Sequence, residues 1–241
     1  MGWNFRSFYI GKLEPKKCPA VIEALKQEGL VTFDGISSER DLLRMARMLG
    51  TVKLHRDSQK NGITRIATKS ANTVQDSYLG FTSHELFPHT DGSSQSIPPS
   101  LVLLLCIKPA ELGGDSIFVD GKTLFTVFQK DYPVALNILS RPKSAIFAGS
   151  GNICWSSIFS NFPSGEICLR FRYDDWGYYS APTMASLKLF VDTVQELSFS
   201  ISLKANQGYI VKNTRWLHGR TPFQGTREML RVLIDTKGLG F

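Results

Sequence analysis

Closely spaced cysteines are missing from this sequence. The 241 residues contain four cysteines, and none of them belongs to a CxxC pair. They are Cys18, Cys106, Cys154 and Cys168. Because disulfide frameworks and zinc–cysteine sites need cysteines at short, regular spacings, this distribution argues against both. It suits a reducing compartment, and a cytoplasmic location is the prediction.

A hydrophobic segment long enough to cross a membrane is also missing. The longest apolar run, LVLLLCI at 101–107, is far shorter than the roughly 20 residues of a transmembrane helix and is typical of a buried strand. The first residues, MGWNFRSFYIGK, lack the apolar stretch of a signal peptide. Arg6 stands where a myristoylation signal needs serine or threonine. We therefore expect a soluble protein without a membrane partner.

Clusters of positive charge are scarce, although the chain is basic overall. The formal net charge is +7, yet Lys16-Lys17 is the one adjacent basic pair and the other cations are scattered among acids. Nucleic-acid binding needs a basic patch or stripe, so this pattern argues against it.

With 42% hydrophobic and 20% charged residues, the composition predicts one globular domain over residues 1–241.

Helical and strand-like segments alternate along the chain. Helices are predicted at 19–27, at 39–49 between Ser38 as N-cap and Gly50, at 121–139, and after Pro182. Strands are predicted at 30–33, 64–68, 100–107, 115–120, 166–173, 208–213 and 229–235. Many strands with long, uneven connections indicate a mainly β protein with a double-sheet jelly-roll core. We expect the flanking helices to cover one of its two sheets.

The segment FPHTDGS at 87–93 places two metal-binding side chain types close together. His89 and Asp91 stand two residues apart at what looks like the end of a strand, where they can share one face. HxD alone also fits a surface His and Asp beside a turn, so a third ligand is needed. His218 follows a predicted strand and supplies it. Two imidazoles and one carboxylate form the facial triad of non-heme Fe(II) oxygenases.

An arginine in the last predicted strand suggests an acidic ligand. Arg231 lies within the apolar segment MLRVLID, where an unpaired guanidinium would be costly to bury. Arginine suits bidentate binding of a carboxylate, and a diacid such as 2-oxoglutarate would satisfy it. Arg227 precedes the strand, could be exposed, and is the second candidate for this role. The remaining histidines, His55 and His84, are interpreted as surface or pocket-rim residues.

These motifs together resemble the Fe(II)/2-oxoglutarate-dependent oxygenases of the taurine dioxygenase and clavaminate synthase group, from about residue 29 to 236. The landmarks are FPHTDGS, PAELGGDSIFVDG at 109–121, NTRWLHGRTPF at 213–223, and Arg231 with Asp235. The resemblance implies a double-stranded β-helix core that uses Fe(II), 2-oxoglutarate and O2.

The resemblance also implies a role for individual residues. His89, Asp91 and His218 would bind the iron, and Arg231 would hold the distal carboxylate of 2-oxoglutarate. Ser116 stands where the family usually has threonine, and its hydroxyl would contact the same carboxylate. Apart from the resemblance, Arg220 in HGR is interpreted as bracing the loop that carries His218 and not as contacting substrate.

The resemblance implies hydroxylation of a small molecule, such as an amino acid or a metabolite derived from one. Asp91 supports hydroxylation, because related halogenases replace this carboxylate with a small residue. Two alternatives stay open: a demethylase acting on nucleic acid or protein, and a non-catalytic metal-binding jelly roll. The sequence leaves the oligomeric state open.

A possible substrate-binding segment is LRFRYDDWGYY at 169–179. Asp174 and Asp175 stand beside Trp176 and two tyrosines, and this combination could hold a cationic amine by charge pairing and cation–π contact. Arg172 would be available for a substrate carboxylate. The alternative interpretation is a polar turn that closes a strand above packed aromatic side chains.

Overall fold

The computed structural model describes residues 2–68, 79–149, 151–161 and 165–236. Its α-helices are α1 (Cys18–Gln27), α2 (Glu39–Leu49), α3 (Gly121–Asp131), α4 (Pro133–Leu139) and α5 (Ala181–Leu197). Its strands are β1 (Tyr9–Lys12), β2 (Leu30–Asp34), β3 (Thr51–Lys53), β4 (Ile63–Ala67), β5 (Leu86–His89), β6 (Leu101–Lys108), β7 (Leu112–Gly113), β8 (Ser116–Asp120), β9 (Ala145–Gly149), β10 (Asn152–Ser156), β11 (Phe159–Asn161), β12 (Ile167–Leu169), β13 (Gly177–Tyr179), β14 (Phe199–Ile201), β15 (Gly208–Lys212), β16 (Trp216–Arg220), β17 (Phe223–Gln224) and β18 (Glu228–Asp235).

Two sheets form the core. The larger has the order β1-β2-β15-β6-β18-β3, with β4 also paired to β18, and the smaller has the order β14-β8-β16-β5. Their facing side chains meet in one apolar cluster, in which the rings of Phe118 and Tyr209 lie edge to face with centroids 4.8 Å apart. The predicted mainly β architecture is confirmed.

The apolar run at 101–107 becomes the central strand of the larger sheet. β6 lies between β15 and β18, and its first six residues are buried. Val102 and Leu104 face the smaller sheet, whereas Leu103 and Leu105 pack on the other face. A strand covered on both faces reads as a continuous apolar run, because neither set of alternating side chains meets water.

Helices cover the outer faces of both sheets, so the prediction that they cover one sheet is wrong. α1 and α2 supply Leu25 and Leu42 to the cluster on the outer face of the larger sheet. α3 and α5 pack on the smaller sheet, where Val119 and Leu217 point outward into a second helical cluster. The physical reason is that β8 and β16 carry apolar side chains on both faces, and both sets require cover.

Two predicted elements differ in the structure. The predicted helix at 121–139 is divided at Tyr132, whose non-helical backbone (φ −137°, ψ 52°) is followed by Pro133 in the first turn of α4. The predicted strand at 166–173 is strand only at Ile167–Leu169. Beyond it the backbone bonds to single residues of loops, such as the Thr90 N–H that donates to the Phe171 carbonyl, and no continuous ladder forms there.

The remaining predicted segments lie within one or two residues of their observed bounds. For example, α2 begins after Ser38, whose hydroxyl accepts from the Asp41 N–H, and it ends at Gly50. Across the described ranges, no helix has the length and apolarity needed to span a membrane. The single domain over residues 1–241 stays a prediction.

Candidate metal centre

Two histidines become neighbours because β5 and β16 pair side by side. The strands are antiparallel, their register places His218 opposite His89, and the two ring centroids are 5.0 Å apart. The side chains project from the inner face, since Trp216 lies two residues before His218 and packs between the sheets. The expected loop around His218 is therefore wrong, because this residue lies within a strand.

A glycine allows β5 to approach β16 closely. A Cβ atom at Gly219 would lie 2.4 Å from the Leu86 carbonyl oxygen and 2.9 Å from the Pro88 nitrogen. Both are backbone atoms of β5, so any larger residue would push the two strands apart. The distance between His89 and His218 depends on this contact.

Asp91 is fixed beside the histidines by a buried amide. The Asp91 N–H donates to Asn213 Oδ1 at 2.8 Å, and Asn213 Nδ2 donates to the carbonyl oxygens of Asp91 and Pro99, both at 2.9 Å. Asn213 has no exposed surface and lies between β15 and β16. Sequence reasoning missed this role, although Asn213 opens the landmark NTRWLHGRTPF. The available signal was a polar residue immediately after an apolar strand.

The three side chains are oriented as metal ligands. Ligand atoms of His89, Asp91 and His218 all lie within 4.8 Å of one another. The Phe87 carbonyl oxygen lies 3.0 Å from His89 Nδ1, so a proton on Nδ1 leaves Nε2 free to bind. Asp91 Oδ2 lies 3.6 Å from His218 Nε2. It is buried without a hydrogen-bond partner among the described residues, which is the arrangement that a shared cation would satisfy.

The ionisation states also suit a metal. Burial and the neighbouring His218 lower the pKa of His89 to about 4, so its ring is neutral at neutral pH. Burial acts to raise the pKa of Asp91, but Arg231 and the two imidazoles outweigh it and hold that pKa well below its usual range. Neutral imidazole and ionised carboxylate are the metal-binding forms. This donor set of two nitrogens and one oxygen fits Fe(II).

The cluster opens into a cavity of about 190 Å³. Its lining includes six further residues that the sequence predicts for the site: Ser116, Arg172, Asp174, Trp176, Arg227 and Arg231. Asp175 is exposed and does not line the cavity. His84 is exposed and His55 lines the cavity, in agreement with their interpretation as surface or pocket-rim residues. His55 Nδ1 accepts from the Asp57 N–H at 3.2 Å.

Arg231 reaches the centre from the opposite sheet. It stands opposite Leu104 in the register of β18 and β6, and both side chains face the interior between the sheets. Its guanidinium donates to Asp91 Oδ1 at 2.8 Å. Arg231 therefore has an acidic partner within the chain, and this partner is one of the proposed metal ligands.

Arg227 lies beside a different group of cavity residues. It is 7% exposed, so the expectation that it could be exposed is wrong. Its Nε donates to the Gly114 carbonyl at 3.2 Å, and no salt bridge to it occurs within the described ranges. Burial lowers the pKa of Arg227, and Tyr209 counteracts this shift in part. Ser116 and Tyr209 line the same cavity as Arg227.

The Gly113-Gly114 pair shapes the turn that contacts Arg227. Both glycines have positive φ, at +72° and +76°, a conformation that suits glycine. A Cβ atom at Gly114 would lie 3.1 Å from Arg227 Cδ. A larger residue here would therefore displace the arginine.

The 172–176 turn lies at the cavity wall. Arg172 Nε donates to Asp174 Oδ1 at 2.7 Å, and a second guanidinium nitrogen donates to Oδ2. The Trp176 N–H donates to the same Oδ1 at 3.0 Å. The Tyr179 hydroxyl donates to the Arg172 carbonyl. The polar groups of this turn therefore satisfy one another, and Asp174 already forms a salt bridge with Arg172.

Arg220 holds a segment that lines the cavity. It follows His218 by two residues on β16 and donates to the carbonyl oxygens of Gly80 at 3.2 Å and Thr82 at 2.8 Å. Gly80 and Phe81 line the cavity. The predicted brace therefore acts on residues 79–84 and not on a loop around His218.

Comparison with known proteins identifies the family. The sequence-family model for the taurine catabolism dioxygenase TauD, TfdA family matches residues 5–233. The chain therefore belongs to this family. It is 26% identical over 233 residues to human gamma-butyrobetaine dioxygenase, covering 88% of this chain and 57% of that enzyme. It is 27% identical over 175 residues to trimethyllysine dioxygenase of Meyerozyma guilliermondii, covering 64% and 43%. The chain thus spans just over half the length of its human relative.

A solved structure shares the fold. Asparagine oxygenase, determined in complex with Fe(II), 3-hydroxyasparagine and succinate, superimposes with a TM-score of 0.77 at 15% sequence identity. The similarity covers 92% of this chain and 80% of that one. The predicted jelly-roll fold is confirmed by this likeness.

Proposed function

We propose that this member of the TauD/TfdA family is an Fe(II)- and 2-oxoglutarate-dependent dioxygenase that hydroxylates a small molecule. The observation that carries the proposal is the pairing of His218 with His89, which brings Asp91 into a three-ligand cluster at the wall of a cavity. When bound, Fe(II) supplies the activation of O2 that oxidation of a C–H bond requires. Three protein ligands on one side leave the positions facing the cavity for cosubstrates.

The residues of the chain bind, orient and exclude water. Neutral His89 and ionised Asp91 supply ligand atoms without releasing a proton at neutral pH. Asn213 fixes the backbone of Asp91, and the apolar core between the sheets shields the side of the cluster away from the cavity. This rigidity favours a reproducible approach of substrate to the metal.

For the distal carboxylate of 2-oxoglutarate we propose Arg227 together with Ser116. Both line the cavity, both are buried, and Arg227 forms no salt bridge within the described part of the chain. A buried guanidinium of this kind favours an acidic ligand. Arg231 was the first candidate from sequence, but its 2.8 Å contact with Asp91 already neutralises it. The second candidate therefore has the stronger support.

For the substrate we propose an amino acid or a metabolite derived from one, with a cationic group. The two curated relatives are named for gamma-butyrobetaine and trimethyllysine, which carry quaternary ammonium groups. The Trp176 ring at the cavity wall suits a cation–π contact. Asp174 can approach the same group while sharing its charge with Arg172. Asp175 is left out of this proposal, because it is exposed and does not line the cavity.

The experiment is anaerobic reconstitution with Fe(II) followed by measurement of succinate release. Addition of 2-oxoglutarate to the iron-loaded protein is expected to produce a weak visible charge-transfer band. With O2, a panel of cationic, neutral and anionic amino acids and their methylated derivatives should contain compounds that stimulate succinate formation. Absence of both the band and any succinate in fully iron-loaded protein would contradict the proposed activity. A cytoplasmic location stays a prediction.

A further inference from the structure

The contact between Arg231 and Asp91 joins a partly buried guanidinium to a buried carboxylate. Their side chains are 14% and 10% exposed, and the guanidinium lies 2.8 Å from Asp91 Oδ1. The other oxygen, Oδ2, has no hydrogen-bond partner in the described ranges and lies 3.6 Å from His218 Nε2. One carboxylate therefore bonds a fixed cation through Oδ1 while lying within 4.0 Å of both imidazoles, His89 at Oδ1 and His218 at Oδ2.

We infer that Arg231 is an internal counter-ion that competes with the metal for the charge of Asp91. This inference rests on the proposed metal site. Arg231 acts through Asp91, and it is therefore a positioning residue and not a catalytic one. Without metal it pairs the carboxylate. With metal, two cations, the metal and the guanidinium, would share one anionic side chain, and the arginine would weaken the binding that the cluster otherwise provides.

Two effects of Arg231 on metal affinity oppose each other. Its hydrogen bond orients Asp91, and loss of such a partner typically weakens metal binding by about 10- to 100-fold. Its charge repels a dication across a buried carboxylate, where solvent screens poorly. Because the guanidinium contacts the ligand itself and the metal carries two charges, we expect repulsion to outweigh orientation. Removal of the charge should therefore tighten metal binding.

The position of Arg231 supports an electrostatic role over simple packing. Its neighbours on the inner face of β18 are Met229 and Leu233, both in the apolar core between the sheets. Its Nε is buried without a hydrogen-bond partner in the described part of the chain. Asp91 is the one carboxylate to which it is paired among the described residues. A charge in these surroundings is costly unless its partner is retained.

The test is titration of metal-free protein with Co(II), which replaces Fe(II) without reacting with O2. Arg231→Met removes the charge and keeps much of the volume, whereas Arg231→Lys keeps the charge. Arg227→Met is the matched control, because it removes another buried arginine from the same cavity without touching Asp91. We expect Arg231→Met to bind Co(II) at least about tenfold more tightly than wild type. Arg231→Lys should stay within about threefold, and Arg227→Met should change less than Arg231→Met.

A second measurement covers the possibility that Arg231→Met folds poorly without metal. Unpaired Asp91 should lower the midpoint of thermal unfolding in metal-free protein, and Co(II) should raise it by more than in wild type. If the variant is obtained only with metal bound, competition with a chelator of known affinity still yields its dissociation constant.

The outcomes separate this inference from the proposed function. Equal or weaker Co(II) binding by Arg231→Met would overturn the counter-ion role alone. Loss of 2-oxoglutarate binding in Arg231→Met, with unchanged metal affinity, would return this arginine to the role of cosubstrate anchor. Wild-type protein that binds no Co(II), or binds it equally well after Asp91→Ala, would overturn the metal site and the inference together.

Discussion

The histidine pair and the 172–176 turn face the same cavity but are built in different ways. His89 and His218 project from paired strands, so the register of the sheet fixes their separation. Arg172 and Asp174 lie in irregular chain and are held by each other and by the Trp176 N–H. The first arrangement leaves ligand atoms unsatisfied, and the second satisfies its own polar groups. This difference indicates that the ligand atoms of the histidine pair are free to bind a ligand, whereas the 172–176 turn must give up some of its own hydrogen bonds to bind one.

The largest expected effect follows from removal of the Asp91 carboxylate from the ligand cluster. Asp91→Ala should abolish succinate formation, because two imidazoles alone do not provide the facial triad. The measurement is Co(II) affinity and substrate-dependent succinate release. Asp175→Ala is a matched control, since it removes an exposed carboxylate that does not line the cavity. Wild-type turnover by Asp91→Ala would show that the ligand assignment is wrong.

Substitution of Arg227 should show whether this residue binds the cosubstrate. Arg227→Met is expected to weaken 2-oxoglutarate binding by roughly 30- to 1000-fold, because the ligand carboxylate loses its charged partner. Ser116→Ala should cost only about 1 kcal/mol through one lost hydrogen bond. Both values come from titration of the visible band of iron-loaded protein. A larger loss in Arg231→Met than in Arg227→Met would move the anchor back to Arg231.

The role of Asn213 in holding the backbone of Asp91 can be tested by substitution. Asn213→Ala removes three buried hydrogen bonds around Asp91 and Pro99. The free energy of unfolding should fall by about 1–3 kcal/mol, because backbone groups are left unsatisfied. Urea unfolding of metal-free protein provides the measurement, and Asn213→Asp tests whether shape without the amide donors suffices. An unchanged unfolding midpoint in Asn213→Ala would exclude the proposed support.

Substitutions in the 172–176 turn should have smaller effects on activity, and these effects should depend on the charge of the substrate. Asp174→Asn should raise the KM for a cationic substrate by about tenfold, since a charged hydrogen bond is replaced by a neutral one. Asp175→Asn should leave KM within about twofold, because surface substitutions away from a site have small effects. Succinate release for cationic, neutral and anionic amino acids measures both. Preference for an anionic substrate, or full activity in Asp174→Asn, would leave this turn with a structural role.

The smallest expected effect concerns His55 at the cavity wall. Burial and the charge of Arg231 lower the pKa of His55 below its ordinary value of 6.5. A histidine with a lowered folded-state pKa favours the neutral form, so its contribution to stability is present above pH about 6.5 and is lost as pH falls below it. His55→Gln should therefore reduce the loss of stability on acidification. Urea midpoints of both proteins between neutral and acidic pH would reveal this, and identical pH profiles would contradict it.

Several features could be predicted from local sequence because their physical causes are local. The limits of α2 follow from Ser38 and Gly50, and the burial of β6 follows from an uninterrupted apolar run. The cover on the smaller sheet was harder to predict. It depends on Val119 and Leu217 lying opposite each other on the outer face, and this pairing is formed between distant strands.

The site also has features that local sequence predicts and features that it does not. The two-residue spacing of His89 and Asp91 predicted that these side chains could converge on one face of a strand. In the structure β5 ends at His89, and Asp91 lies in the following turn, where Asn213 holds its backbone. Which carboxylate would meet which guanidinium was decided only by tertiary structure. Arg227 and Arg231 stand four residues apart and line one cavity, yet only Arg231 reaches Asp91 across the space between the sheets. Electrostatic pairing depends on distances of a few ångströms between elements far apart in sequence, and no local pattern contains those distances.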